Sequence, residues 1–225
     1  MYIIAIDTCR GRGSVSLTKS GKLLVERNEP DGGKLAERLV GMINSCLEEA
    51  GCSFSNIDLL AVTIGPGSFT GIRIGMAAAK GLRIATKIPL IGISTLQATA
   101  FAAQKKLKPE ESIISVLHDA KRGQVYAQRF TNDKTISSIK EPELLSLDDI
   151  NDYLAKSYLT VTDSDFLDNI NNGNSKLAKI SFTNADVAML AEIHFSENKG
   201  EYNKNIAPLY IRPPDAKLPK NHASA

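Results

Sequence analysis

Leu59-Leu60-Ala61-Val62-Thr63-Ile64-Gly65-Pro66-Gly67-Ser68-Phe69-Thr70-Gly71-Ile72-Arg73 is an apolar run interrupted by three glycines and a proline, after which hydrophobic residues resume at helical spacing. The run through Ile64 predicts a buried strand and Thr70 to Thr86 a helix, so the segment reads as the strand–turn–helix unit of an α/β protein. Pro66 fixes φ, while Gly65, Gly67 and Gly71 admit backbone geometry that side-chained residues adopt only at a cost. Ser68 or Thr70 is placed to cap the helix, whose free amides and dipole would suit an anion or a carboxylate. The spacing matches neither the Gly-Lys-Thr phosphate loop nor a dinucleotide fingerprint, so a structural connector and an anion cradle both stay open.

Working outward, Tyr2 to Ile6 reads as a buried strand, and Ser14 to Thr18 and Lys22 to Arg27 flank Ser20-Gly21 as a hairpin. Gly33 to Ala50 carries helical periodicity ended by Gly51, Leu90 to Ile93 is a further strand, and Leu96 to Gln104 is a third helix. Three antiparallel strands followed by two helix–strand crossovers is the order of a ribonuclease-H-like lobe, the repeated half of the actin and sugar-kinase (ASKHA) architecture. The second half restarts with strands at Ile113 to Leu117 and Gln124 to Phe130 around Lys121-Arg122-Gly123, and reads as a second, reduced copy. Asp148 to Ala155 and Asp186 to Phe195 are expected helices, and the Asn-rich stretch 168–175 an expected loop. The organisation expected is an N-terminal lobe over 1–104, a reduced lobe over 105–212 that opens on the charged hinge Lys105 to Glu111, and a mobile tail over 213–225.

With 27 basic and 25 acidic residues the net charge is +2, too balanced to advertise a nucleic-acid or anionic-membrane surface. Hydrophobic residues make up 43% of the 225, ordinary for a globular protein able to bury a core, and the chain is long enough for two lobes. Cys9, Cys46 and Cys52 are odd in number and lack the close pairing of a zinc site, so free thiols in a reducing compartment are expected. Met1 leads directly into a strand, and no run approaches about 18 apolar residues, which predicts a soluble, cytoplasmic protein.

Asp7-Thr8 closes the first strand, where an ATPase of this architecture places the carboxylate that holds magnesium and phosphate. The rival reading has Asp7 accepting hydrogen bonds from its own turn. Asp119 is the expected counterpart in the second lobe, with Lys121 and Arg122 offering an ion pair as the alternative. No glycine-rich adenosine loop is recognisable in the second half, so Asp7, Thr8 and Asp119 form at most a vestigial nucleotide site. His118, His194 and His222 are too scattered for a helical metal pair and read as structural or surface residues; no Gly-x-Ser-x-Gly elbow or Cys-His arrangement argues for a hydrolase. The first helix carries two apolar stripes, Leu35-Leu39-Met42-Cys46 and Ala36-Val40-Ile43-Leu47, and the second carries the small-residue rows Gly71-Gly75-Ala79 and Arg73-Ala77-Gly81-Ala85. Such surplus either fills the lobe's own core or meets a partner.

The segment Gly65 to Arg73 resembles, almost letter for letter, the signature of the bacterial TsaB (YeaZ) family, the dimerisation subunits of tRNA threonylcarbamoyladenosine biosynthesis. Met1 to Thr8, Ile88 to Leu96, Val116 to Tyr126 and Pro208 to Arg212 are similar to that family's other landmarks in the same order. The resemblance implies a non-catalytic scaffold that binds and activates the TsaD-type catalytic paralogue, with a TsaE-type ATPase in the same complex. Together these would transfer a threonylcarbamoyl group to the adenosine beside the anticodon of ANN-decoding tRNAs. The tRNA would be met through the complex, no cofactor is implied, and a second copy of the chain is the alternative partner. The signature loop is then Gly65, Pro66, Gly67, Ser68, Phe69, Thr70, Gly71 and Arg73, and the implied partner interface Leu35, Leu39, Val40, Ile43, Arg73, Gly75 and Ala77. The paralogue's metal-binding His-Leu-Glu-Gly-His run would fall on Thr95 to Thr99, and threonine hydroxyls do not replace imidazole ligands. Leu35-Ala36-Glu37 and Gly41-Met42-Ile43 depart from the family's His-Ser-Glu and Pro-Met-Ile-like stretches. Two rivals stand beside this reading: an ATP-dependent ASKHA-type phosphotransferase or glycoprotease-like enzyme, and a self-associating structural protein.

Overall fold

The computed structural model describes residues 1–110, 113–155, 157, 159–163, 176–197 and 206–212. Tyr2–Asp7 (β1), Gly13–Lys19 (β2) and Lys22–Glu29 (β3) form the expected antiparallel meander. Leu59–Gly65 (β4) and Leu90–Ser94 (β5) add in parallel beside β1, giving the order β3-β2-β1-β4-β5. Helices Leu35–Glu49 (α1) and Phe69–Thr86 (α2) make the two crossovers, and Thr95–Leu107 (α3) leaves β5 directly.

A second sheet repeats the plan. Ile113–Lys121 (β6), Gln124–Thr131 (β7) and Glu143–Ser146 (β8) are antiparallel, while Leu159–Thr162 (β9) and Lys176–Lys179 (β10) lie parallel to β6, in the order β10-β9-β6-β7-β8. Strands β8, β9 and β10 have 4 residues each where β3, β4 and β5 have 8, 7 and 5, so the second sheet is the reduced copy. Helix Ile150–Ala155 (α4) lies between β8 and β9, and Asn184–Glu197 (α5) follows β10. The Asn-rich stretch 168–175, the tail 213–225 and His222 lie outside the described residues.

Period-two alternation places the layers. Ile4, Ile6, Leu60 and Val62 face α1 and α2, whereas Ile3, Ala5, Leu59 and Ala61 face the opposite side. That opposite side is covered by α5, a helix from the far end of the chain, with α3 beside it. Ile114, Val116, Leu159 and Val161 of the second sheet close the same core, and α4 covers that sheet's outer face through Ile150, Tyr153 and Leu154. One apolar core therefore joins both halves. The boundary expected at 104 falls inside α3, which runs on to Leu107, and the first sheet is completed only when α5 returns to it.

The helix faces correct part of the expected interface. A 3.6-residue period gathers Leu35, Leu39, Ile43 and Cys46 on one side of α1, and all four are buried against the sheet. Leu35, Leu39 and Ile43 each contribute roughly 1.5–3 kcal/mol by leaving water, and none is exposed to a partner. Val40 alone of the expected α1 set stays at the surface, 52% exposed. On α2, Gly71, Gly75 and Ala79 are buried, and a Cβ on Gly71 or Gly75 would sit well inside van der Waals contact of Thr8. This small-residue row serves close helix–strand packing, so Gly75 leaves the expected interface with Leu35, Leu39 and Ile43. Arg73, Ala77, Gly81 and Ala85 form the exposed row, with Ile84 beside them at 70% exposure.

Candidate functional site

The carboxyl ends of β1 and β4 and the β6–β7 hairpin converge on one cleft of about 470 Å³, lined among others by Arg10, Gly67, Ser68, His118, Lys121 and Tyr126. The turn after β4 is bolted into this place. Ser68 N–H donates to the Cys9 carbonyl at 2.7 Å, Thr95 Oγ1 donates to the Pro66 carbonyl at 2.7 Å, and Thr8 Oγ1 donates to the Gly71 carbonyl at 2.7 Å. Gly65, at φ +106°, takes the left-handed geometry anticipated for it. Of the two cap candidates Ser68 does the work: its Oγ accepts from Gly71 N–H at 3.2 Å, while Thr70 lies within the first turn and is exposed.

Asp7 is 2% exposed, and both of its oxygens are engaged. Oδ1 accepts from Cys9 N–H at 3.1 Å and Thr63 Oγ1 at 2.8 Å; Oδ2 accepts from Arg10 Nε at 2.8 Å. Arg10 reaches onward to the second half, donating to the Phe182 carbonyl at 3.0 Å and stacking 3.8 Å over its ring. A guanidinium therefore lies against the carboxylate where a kinase of this fold would need room for magnesium and phosphate. Thr8 is wholly buried behind the turn. Asp119 lines the 470 Å³ cleft, whereas Asp7 lines an adjoining recess of about 240 Å³, with Arg10 and Arg12 on the border of both. Among the described residues, the two carboxylates expected as counterparts line different, adjoining recesses. Burial works to raise the Asp119 carboxyl, but the Lys121 ammonium at 2.6 Å and the Lys121 amide at 2.7 Å, with Arg212, hold it below the ordinary value.

Cys9 and His118 also line the cleft without forming a nucleophile and its base. Burial, reinforced by Asp7, pushes the Cys9 thiol up to about 12, against the thiolate that attack requires. Thr99 Oγ1 lies 3.0 Å from the Thr95 carbonyl, to which it can donate, and 2.9 Å from His118 Nε2. Thr95 and Thr99, where the paralogue's histidines would align, are thus both committed to hydrogen bonds. Among the described residues no group of three or more His, Cys, Asp or Glu side chains is placed to hold a metal ion.

Burial pushes the His118 imidazole below its ordinary 6.5; Asp163, 3.9 Å away, opposes this, Arg10 reinforces it and Asp7 opposes it. As pH falls through 6.5 the unfolded chain takes the proton first, so stability present above 6.5 declines until the depressed folded value is reached. His118→Gln, which keeps a hydrogen-bond partner for Thr99, is expected to flatten the fall in urea-measured stability between about pH 7 and about pH 5. An unchanged slope would assign that fall to other groups.

Sequence reasoning missed Arg10, whose only signal was an i, i+3 pairing with Asp7 across a turn. It also missed a surface cluster joining two of the landmarks. Phe69 and Arg73 of the signature meet Tyr210 of the closing Pro-x-Tyr-x-Arg stretch, with Phe69 and Tyr210 ring centroids 4.9 Å apart and Arg73 stacked 3.8 Å over Phe69.

Comparison with known proteins places this geometry in a family. The family model described as tRNA N6-adenosine threonylcarbamoyltransferase (TsaD) matches residues 33–217. The tRNA threonylcarbamoyladenosine biosynthesis protein TsaB of Escherichia coli K12 is 35% identical over 139 residues, covering 60% of this chain and 57% of that protein. TsaB of Buchnera aphidicola subsp. Schizaphis graminum is 33% identical over 156 residues, covering 68% and 73%. Among solved structures, a Pseudomonas aeruginosa protein described as similar to peptidase YEAZ superposes with a TM-score of 0.77 at 23% identity, covering 94% of this chain and 99% of that one. A Listeria monocytogenes protein described as a putative N-acetylmannosamine kinase superposes at 0.54 and 9% identity, covering 88% and 100%, which is a likeness of fold. The signature loop, the repeated sheet plan and these matches agree, and the chain belongs to the TsaB (YeaZ) family of tRNA threonylcarbamoyladenosine biosynthesis proteins.

Proposed function

We propose that the chain is a non-catalytic scaffold and dimerisation subunit in threonylcarbamoyladenosine formation on tRNA. It binds the TsaD-type catalytic paralogue through the outward face of α1 and α2 and holds that partner in a competent conformation. A TsaE-type ATPase belongs to the same complex, and tRNA is met through it. The observation that carries the reading is Asp7: it is 2% exposed, both of its oxygens accept from Cys9 N–H, Thr63 and Arg10, and a guanidinium stands where a metal ion would have to bind. A phosphotransferase of this architecture needs that carboxylate free. The exposed Val40, Ala77 and Ile84 support the partner face, since an apolar patch stays in water at a cost unless something covers it.

Calorimetry of the isolated chain with ATP and magnesium is expected to show no stoichiometric micromolar binding; a saturable heat in that range would revive the kinase reading. The direct experiment is reconstitution of threonylcarbamoyl transfer to an unmodified ANN-decoding tRNA, with and without this chain. Transfer is expected to require both the chain and its TsaD-type partner. Equal transfer without the chain would remove the scaffold role, and transfer by the chain alone would make it an enzyme.

A further inference from the structure

The chain's overall charge balance hides a local concentration of basic and aromatic groups beside the signature loop. A groove of about 520 Å³ there is lined among others by Phe69, Lys121, Arg122, Tyr126, Tyr210 and Arg212. Phe69 and Tyr210 are 39% and 41% exposed, high for aromatic rings. Neither ring is loose. The two rings lie 4.9 Å apart at an interplanar angle of 37°, and Arg73 Nε donates to the Tyr210 hydroxyl at 3.2 Å while its guanidinium stacks on Phe69. The strand end anchors the backbone: Leu209 N–H donates to the Ile64 carbonyl at 2.8 Å.

The charge around the rings is positive on balance. Asp119, at the border of the groove, is neutralised by Lys121 at 2.6 Å. Arg212 is oriented by the Lys121 carbonyl at 3.2 Å and Gln124 Oε1 at 2.5 Å, and among the described residues neither it nor Arg73 has a carboxylate at ion-pair distance. Rigid exposed rings interleaved with guanidinium groups fit the π-face and phosphate of an unpaired nucleotide, and rings already held in place forfeit little freedom when a base stacks on them. A protein partner would be met better by the apolar Val40, Ala77 and Ile84, which lie farther along α1 and α2.

We infer that Phe69, Tyr210, Arg73 and Arg212 form a stacking platform for an unpaired nucleotide of RNA. This deepens the proposed function, because it gives the scaffold its own contact with the tRNA. Tyr210 supplies the stacking face, Phe69 and Arg73 hold it upright, and Arg212 meets the backbone phosphate. The negligible net charge is consistent with this: the contact adds to affinity from the rest of the complex and does not capture RNA from a distance.

The test uses the assembled complex of this chain with its TsaD-type partner and a synthetic, unmodified anticodon stem-loop RNA. Tyr210→Ala is expected to weaken RNA binding by about tenfold, while Tyr210→Phe, which keeps the π-face, stays within about threefold of wild type. Arg212→Gln is expected to weaken binding and to lower its salt dependence. Photocrosslinks from the RNA are expected at Phe69 or Tyr210. If the wild-type complex modifies tRNA but Tyr210→Ala binds RNA as tightly, the platform is wrong and the scaffold reading stands. If Tyr210→Ala instead loses the protein partner at unchanged intrinsic RNA affinity, the surface is a protein interface and the inference falls. If the wild-type complex neither binds nor modifies tRNA, the proposed function and the platform fall together.

Discussion

Arg10→Ala is expected to destabilise the folded chain by about 3 kcal/mol, although Arg10 sits in a surface turn with a quarter of its side chain in water. The loss comes from what it leaves behind. Asp7 is 2% exposed, and removing the guanidinium strands a buried carboxylate, a change that typically costs about 3–5 kcal/mol. Partial exposure of Arg10, 24% on its side chain, lets water compensate and sets the value at the lower end. The Phe182 carbonyl also loses its donor and the Phe182 ring its cation, so the two halves of the chain lose a tie. Urea unfolding measures the effect. Adding Asp7→Asn to Arg10→Ala is expected to recover at least about 1 kcal/mol, since a neutral amide needs no counter-charge. If Arg10→Ala alone unfolds within about 0.5 kcal/mol of wild type, Asp7 is balanced by something else and the argument that closes the nucleotide recess fails with it.

Much of the first lobe could be read from sequence because its local signals agree with its tertiary roles. Leu59 to Ile64, Gly65-Pro66-Gly67 and the Ser68 cap state a strand, a turn and a helix start in the same chemical terms that the fold uses. The second half was harder for physical reasons. Strands β8, β9 and β10 have 4 residues each, and Lys176-Leu177-Ala178-Lys179 carries no pattern that separates a strand from a loop. β9 is placed by β6, whose Ile114 and Val116 were legible, β8 by β7 and β10 by β9, and not by anything within the short strands themselves. Long-range contacts were invisible altogether. Nothing in Asp7-Thr8-Cys9-Arg10 announces Phe182, and nothing in Phe69 announces Tyr210, because each pair is brought together only by the completed topology. Helix faces lie between these cases: periodicity established that α2 has two rows of small residues, but the choice of which row is buried depends on Thr8, far away in sequence.

That choice makes the sharpest test of the partner face, because Gly75 and Ala77 stand two positions apart on α2 and are expected to answer in opposite ways. Gly75→Leu should lose stability by about 3 kcal/mol or more: its Cβ alone would press into the Thr8 side chain, and Thr8 is fixed by its own bond to the Gly71 carbonyl. Ala77 is exposed in the row Arg73, Ala77, Gly81 and Ala85, so Ala77→Leu should unfold like wild type. Its effect should appear instead on association. Close helix–helix approach depends on small residues, and added volume at the centre of such a face should cost about 2 kcal/mol, roughly a thirtyfold weaker complex with the TsaD-type partner. Ile84→Asp should act in the same direction, because Ile84 is the most exposed large apolar side chain among the described residues, at 70%. Ile139→Asp, also an exposed apolar position but carried by the second half, should leave association unchanged. Circular dichroism and urea unfolding read the first outcome, and calorimetry with the partner reads the second. If Ala77→Leu and Ile84→Asp both bind the partner with wild-type affinity, α1 and α2 do not form the interface. The exposed row would then need an occupant of another kind, with a second copy of the chain the next to be tested by its concentration-dependent mass.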